Sequence, residues 1–347
     1  VVLTVTLAVF GQQRYYTGGS VEAAQDLIKA SPNNAAACGI RDATGAKKSG
    51  LNKTIAECNE AIKKDSQNEL AYFKRGNAWL KKGEFDKAVA DYSQVVRLNP
   101  KHSVAFYNRG NSWHEMGEYR EAIEDYTEAI RLNPSFVQAY GNRGSARSDM
   151  GEYDTAVEDF SEAIRIDPRY AMAYSLRGVS WFNQGDYAKA IGDYNEAIKI
   201  DPKCASAYNY RGVIWFNKGE FDKAMADYNE AIRLNPQFAE AYFFRGNLWG
   251  RKGNLDKAID DHTEAIRINP KFLDAYHNRG FAWHAKGQYD KAIADYNEAI
   301  KVDPEYANAY YSRGRAWKEK GESEKATADY NEAVRLDPGL AELPYPK

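Results

Sequence analysis

The side chains capable of chemistry in this 347-residue chain are either scattered singly or repeated many times, and neither pattern is that of a catalytic centre. The five histidines are His102, His114, His262, His277 and His284. His277 and His284 share one helix face, but helix rise separates them by roughly 10 Å, too far for one metal ion without further ligands. His262 takes a place that neighbouring repeats give to Tyr. There is no phosphate-cradling glycine loop, no Cys-x-x-Cys pair and no nucleophile motif. The most regular acids, Glu128, Glu162, Glu196, Glu230, Glu264, Glu298 and Glu332, return at one constant interval, whereas a catalytic acid is more often unique. No catalytic residue, cofactor or metal ligand is expected, and the chain is read as a non-enzyme.

Two further sets carry charge or thiols. Arg75 and its seven successors to Arg313 recur at that same interval, and so do Asp91 and its seven successors to Asp329. This eightfold co-occurrence predicts a ladder of Arg–Asp pairs between packed helices, each buried charge meeting its opposite. The alternative is a basic stripe for an acidic ligand. Of the three cysteines, Cys38 and Cys58 lie symmetrically about a turn near Lys48, so an antiparallel helix pair would set them face to face. A disulfide is expected there, against the alternative of two buried thiols. Cys204 is expected free in a loop. Asn52-Lys53-Thr54 matches a glycosylation acceptor, a short signal of low specificity.

The elements that position these residues follow from the period. Pro100, Pro134, Pro168, Pro202, Pro236, Pro270, Pro304 and Pro338 are evenly spaced along the chain. They frame eight units without insertion: 69–102, 103–136, 137–170, 171–204, 205–238, 239–272, 273–306 and 307–340. Each unit reads as two helices. In the second unit the first helix ends at Gly117, since glycine accepts the positive φ of a helix end. The next apolar run, around Ala122, Tyr126 and Ala129, steps by three and four residues and stops at Asn133-Pro134. Recurrent glycine and alanine let the paired helices approach, and recurrent Tyr, Phe and Trp fill the space beside them. All seven tryptophans fall at one place in the unit, where the third repeat has Arg147 instead. One helix pair cannot bury both its faces alone, so neighbours must stack. Residues 34–68 read as a degenerate helix pair, with helices at 35–48 and 51–64. Residues 1–33 form an amino-terminal arm and 341–347 a short tail. Ser323 and Thr327 make the last unit more polar, as suits a cap.

Composition excludes several function classes. Formal net charge is −2, from 47 basic and 49 acidic residues. Such a balance creates no bulk field toward nucleic acid or an anionic membrane. No stretch is long and apolar enough for a membrane span. Aromatic content of 13% supplies a core, which argues against global disorder. The amino end, VVLTVTLAVF, has the length of a signal-peptide apolar region without its basic start, so an export signal remnant is expected and an exported or periplasmic location favoured over a cytoplasmic one.

The 34-residue period and its small-residue, aromatic and proline pattern resemble tetratricopeptide repeats over about four fifths of the chain. The resemblance implies an all-α fold, a right-handed superhelical α-solenoid of stacked antiparallel helix pairs. It also implies that first helices line a concave groove. The groove is then expected to be apolar in its middle, at Met172, Val179, Phe182, Val213, Phe216 and Phe243, with Asn247 and Phe281 continuing it. Toward the ends it turns polar, at Asn77, Asn111, His114, His284, Arg315 and Lys318. The alternative is that these side chains only pack between first helices. The Lys place of the family's carboxylate clamp holds Phe73, Tyr107, Gly141, Ser175, Asn209, Phe243, His277 and Tyr311, so recognition of acidic chaperone tails is not expected. The implied function is a protein-binding scaffold that takes an extended peptide or a partner helix. A self-assembling homo-oligomer and a regulatory arm of a larger enzyme are the alternatives.

Overall fold

A computed structural model describes residues 48–342, and everything described is helical or connecting loop, with no strand. The described chain falls into two compact units, 48–207 and 208–342. The first holds α1 (Lys48–Lys64), α2 (Glu69–Lys82), α3 (Phe85–Leu98), α4 (Ser103–Glu115), α5 (Tyr119–Leu132), α6 (Val137–Asp149), α7 (Tyr153–Ile166), α8 (Ala171–Asn183) and α9 (Tyr187–Ile200). The boundary cuts α10 (Ala205–Asn217). The second unit continues with α11 (Phe221–Leu234), α12 (Ala239–Arg251), α13 (Leu255–Ile268), α14 (Leu273–Ala285), α15 (Tyr289–Val302), α16 (Ala307–Glu319), α17 (Ser323–Leu336) and a 3-10 helix, Pro338–Glu342. Even-numbered helices from α2 onward are the first helices of their repeats, and each packs antiparallel to the odd-numbered helix that follows.

The junctions follow the expected chemistry. Gly117 has φ 82°, and the N–H groups of Gly117 and Glu118 donate to the last carbonyls of α4, His114 O and Trp113 O, each at 3.0 Å. After α5, Asn133 N–H donates to Ala129 O, and its side-chain oxygen then accepts from Ser135 N–H across Pro134. Within a pair, glycine is a packing requirement. A Cβ built on Gly110 of α4 would lie 2.8 Å from Tyr126 Cε1 of α5. Tyr126 is thereby buried with Ala122 of α5 and Ala146 of α6, beneath Trp113. In the second unit Tyr296 packs likewise with Ala292, Ile293 and Ala316, between Trp283 and Trp317. Each such ring contributes roughly 2–3 kcal/mol by area.

The Arg–Asp ladder is present in all eight repeats. Arg Nε and Nη2 donate to both oxygens of the Asp on the paired helix. In the first unit the Nη2···Oδ1 distances are 2.6 Å for Arg75–Asp91 and 2.7 Å for Arg109–Asp125, with Arg143–Asp159 and Arg177–Asp193 alike. In the second unit Arg211–Asp227, Arg245–Asp261, Arg279–Asp295 and Arg313–Asp329 repeat the geometry. The remaining nitrogen reaches back to the preceding second helix: Arg109 Nη1 donates to Ser93 Oγ, Arg177 to Ser161 Oγ, Arg279 to Thr263 Oγ1. One guanidinium therefore ties three helices. Burial pushes the Asp125, Asp227, Asp261 and Asp295 carboxyls above the ordinary carboxylate range, with the facing Arg pulling back. The bond to the facing Asp in turn raises the Arg177 and Arg313 guanidiniums, and the ladder ties each first helix to its paired second helix. Arg147, where other repeats have Trp, adds a second guanidinium to Asp159 at 2.8 Å.

Two cysteine expectations are corrected. Cys58, expected in a disulfide with Cys38, is a free and buried thiol on the inner face of α1, its pKa raised by burial. Cys38 lies outside the described residues. Cys204, expected as a free loop thiol, is wholly buried and not free; its Sγ stands 3.4 Å from Ser206 Oγ. The arm at 1–33, the helix expected at 35–48 and the end of the tail also lie outside the description. Leu340 of the 3-10 helix closes the last pair by packing on Tyr311 and Ala333.

Candidate functional site: the first-helix face

Second helices offer little for recognition, because their outward charges are already paired along the helix. Arg131 Nη2 lies 2.6 Å from Glu128 Oε1, and Arg165–Glu162, Arg233–Glu230 and Arg335–Glu332 repeat this i,i+3 pair. The glutamates read as recurrent in the sequence are these partners. The first helices are different.

In the first unit they carry a connected row of amides. Tyr92 OH donates to Asn77 Oδ1 at 2.7 Å, and Asn108 Nδ2 of the next first helix donates to the same oxygen at 3.0 Å. One repeat on, Tyr126 OH donates to Asn111 Oδ1 at 2.9 Å and Asn142 Nδ2 to the same oxygen at 2.8 Å. Asn142 Nδ2 also donates to Tyr107 OH at 3.0 Å. Burial raises the Tyr92, Tyr107 and Tyr126 phenols, which therefore stay protonated. Two donors on each carbonyl oxygen fix which way each amide faces. All four asparagines are half-buried. Among the described residues, Asn77 Nδ2 and the Oδ1 atoms of Asn108 and Asn142 hold no hydrogen bond, so donors and acceptors remain along a preorganised row. His114, at the end of α4, sets its Nε2 3.0 Å from Asp149 Oδ2.

The apolar residues expected to line the groove are mostly interior. In the first unit Met172, Val179 and Phe182 are buried, Phe182 completely, with the Tyr187 ring of α9 at 5.5 Å. In the second unit Val213 and Phe281 are buried, and Phe243 is enclosed by Phe244, His262 and Phe272 at centroid distances of 5.4, 5.6 and 4.9 Å. Asn247 is buried and accepts from Asn278 Nδ2 at 2.8 Å. Phe216 alone of the eight is half-buried, against Phe221. Side chains at these places reach the following second helix or the loop beyond it. Sequence reasoning placed Asn77, Asn111 and Tyr107 on this face and missed Asn108 and Asn142. A signal was available: Asn77 to Asn108 and Asn111 to Asn142 span the same interval, the offset between facing positions on successive first helices.

The second unit also holds polar groups without partners. Both amide atoms of Asn209 are buried and unpaired, as are both ring nitrogens of His262 and Nε2 of His284. No cluster of potential metal ligands occurs among the described residues, and no described helix is long and apolar enough to cross a membrane.

Models described as tetratricopeptide repeat match residues 70–102, 103–136, 125–158, 142–203, 182–237, 239–272 and 307–340, and one described as TPR repeat matches 282–321. The chain belongs to the tetratricopeptide repeat (TPR) family. No curated protein matches it. Among solved structures, yeast Tom70 is similar at 19% identity and TM-score 0.56, over 85% of this chain and 62% of Tom70. The Cut9–Hcn1 hetero-tetramer of APC/C is similar at 17% and 0.59, over 79% of this chain and 54% of the other. A tetratricopeptide repeat protein from Parabacteroides merdae gives 20% and 0.52, over 68% and 93%. At these identities the likeness is one of fold. The fold is thus all-α, the antiparallel helix pairs of a TPR solenoid, a scaffold typical of protein–protein interaction in a family that is usually non-catalytic.

Proposed function

We propose that this TPR chain is a non-catalytic scaffold that holds an extended segment of a partner protein along the first helices of its first unit. The observation carrying this reading is the oriented amide row, Asn77–Asn108 and Asn111–Asn142. An extended peptide presents one N–H and one C=O per residue, and Asn can meet either. A partner helix has already satisfied its main-chain groups internally, so the amides favour an extended segment over a helix. The exposed Leu70 and Val104, at matching first-turn places of α2 and α4, give that row an apolar margin. Binding is expected to be tolerant of partner sequence, with affinity gathered over several repeats.

The test is capture from an immobilised array of unstructured peptides by the full chain and by an Asn77→Leu, Asn108→Leu double variant, with circular dichroism as the folding control. Peptides retained by the parent and released by an equally helical variant would support the reading. Equal retention would remove the amide row as the site. Aspartate at Phe182 is unsuitable as a probe, because that ring is wholly buried and a charge there would disturb the fold.

A further inference from the structure

The five histidines divide by their surroundings. In the first unit both stand beside carboxylates: His114 Nε2 is 3.0 Å from Asp149 Oδ2, and His102 Nε2 is 3.7 Å from Glu69 Oε1 while its Nδ1 accepts from Ala105 N–H at 3.1 Å and caps α4. The other three fall on α13 and α14, where no carboxylate lies within ion-pair reach of any of them among the described residues. His262 is fully buried in the place that other repeats give to Tyr or Phe, and neither ring nitrogen has a partner. Across the pair, on α12, it meets Gly246, whose Cβ would stand 2.8 Å from the ring, and Phe243 at 5.6 Å. The charged groups around it are engaged elsewhere: Arg245 of α12 holds Asp261, and Arg279 of α14 holds Asp295.

His277 lies between Tyr296 of α15 at 5.7 Å and Tyr306, before α16, at 5.6 Å. Its Nε2 meets Ser312 Oγ of α16 at 3.0 Å and its Nδ1 meets Asn278 Oδ1 at 3.3 Å. The nearby carboxylate Asp274 is 3.4 Å from Tyr306 OH. His284 packs edge-on to Tyr289 of α15, its Nε2 buried without partner, with Arg315 opposing and Glu319 favouring a proton from α16. A proton on His262 therefore creates a cation with neither solvent nor an acceptor. Burial holds His262 down to about 3 and His277 to about 4, and lowers His284 as well. Arg279 adds to the effect on His262.

We propose that α13 and α14 form an acid-responsive segment of the second unit, which opens as pH falls from neutral toward 5 while the carboxylate-matched first unit keeps its packing. The sign follows from linkage. Rings released by opening regain the ordinary histidine pKa of about 6.5. The opened state then binds more protons than the closed one, so closure is fully favoured above that pH and weakens below it. Between pH 7.5 and 5, an opening that frees one such ring becomes about 30-fold more populated. The device stands whether or not the first-helix face holds a peptide.

Hydrogen–deuterium exchange of the full chain at pH 7.5 and 5.0, corrected for intrinsic exchange, tests it. Segments within 255–285 are expected to open about 30-fold more for each ring that the opening frees, and segments within 119–132 to change less than about threefold. His262→Tyr restores the ring most other repeats use and is expected to fold and to remove one factor of about 30 from the acid response, leaving the share of His277 and His284. Equal acid responses in the two segments would overturn the proposal. So would a response undiminished in both His262→Tyr and the double variant His262→Tyr, His277→Tyr.

Discussion

The two units are built on one repeat but use the same first-helix places differently. In the first unit, Asn77 and Asn111 cap the Tyr92 and Tyr126 hydroxyls, and those amides are half-buried. The same place is Val179 in the first unit and Val213 and Asn247 in the second, where Asn247 accepts from Asn278 Nδ2 at 2.8 Å, while Asn209, one turn before Val213, is buried with both amide atoms unpaired. The phenol that elsewhere fills the glycine notch is His262 in the second unit, with two unpaired nitrogens. A buried polar group without a partner loses its hydration and gains nothing in return. Equal framework therefore does not imply equal local stability, and the second unit is expected to open first.

Substitutions can break or sharpen that contrast. The largest effect should erase it. Asp125→Ala in the first unit and Asp261→Ala in the second each take the bidentate partner from a half-buried guanidinium, and each is expected to lose about 3 kcal/mol in chemical denaturation. A large difference between them would mean that the ladder does not serve both units alike. Next, Gly110→Ala forces a methyl against Tyr126, and about 1–3 kcal/mol should be lost. Gly314→Ala should be milder, because there the nearest atom is Ala326 O at 3.1 Å and no ring fills the notch. Asn111→Val gives α4 the valine that α8 and α10 carry at the same place. It orphans Tyr126 OH and leaves Asn142 Nδ2 with Tyr107 OH alone, with about 1–2 kcal/mol lost and faster amide exchange in α4 and α5. The smallest neutral-pH effect is His262→Tyr, a gain of about 1 kcal/mol that widens as pH falls below 6.5, read from denaturation midpoints at pH 7.5 and 5.5.

The repeat frame was fully legible in the chain. Helix starts at Glu69, Ser103, Val137, Ala171, Ala205, Ala239, Leu273 and Ala307 keep the spacing of the prolines. The Arg–Asp ladder was legible too, because both members recur and a buried charge needs its opposite. The candidate site was legible only in part. Phe182 and Phe243 have the composition of binding anchors, yet Tyr187 and the Phe272–His262 pair cover them. Side-chain type gives no measure of how far a ring reaches into the neighbouring repeat. The cysteine expectation failed for a similar reason. Symmetry about a turn in the sequence does not decide which thiols pair, and Cys58 is a small buried core residue with a free thiol.

What the sequence determined by itself is local and periodic: two helices per unit, the glycine and Asx-Pro ends, and the identity of each paired charge. These follow from backbone sterics and from a period that successive repeats reveal when compared. Only the tertiary structure decided which way each amide of the asparagine row faces, since that depends on Tyr92 and Tyr126 of one pair and Asn108 and Asn142 of the next. The same holds for the burial of His262 without a partner. Its neighbours Gly246, Phe243 and Arg279 come from other helices, and burial is a property of that assembled environment rather than of the residue.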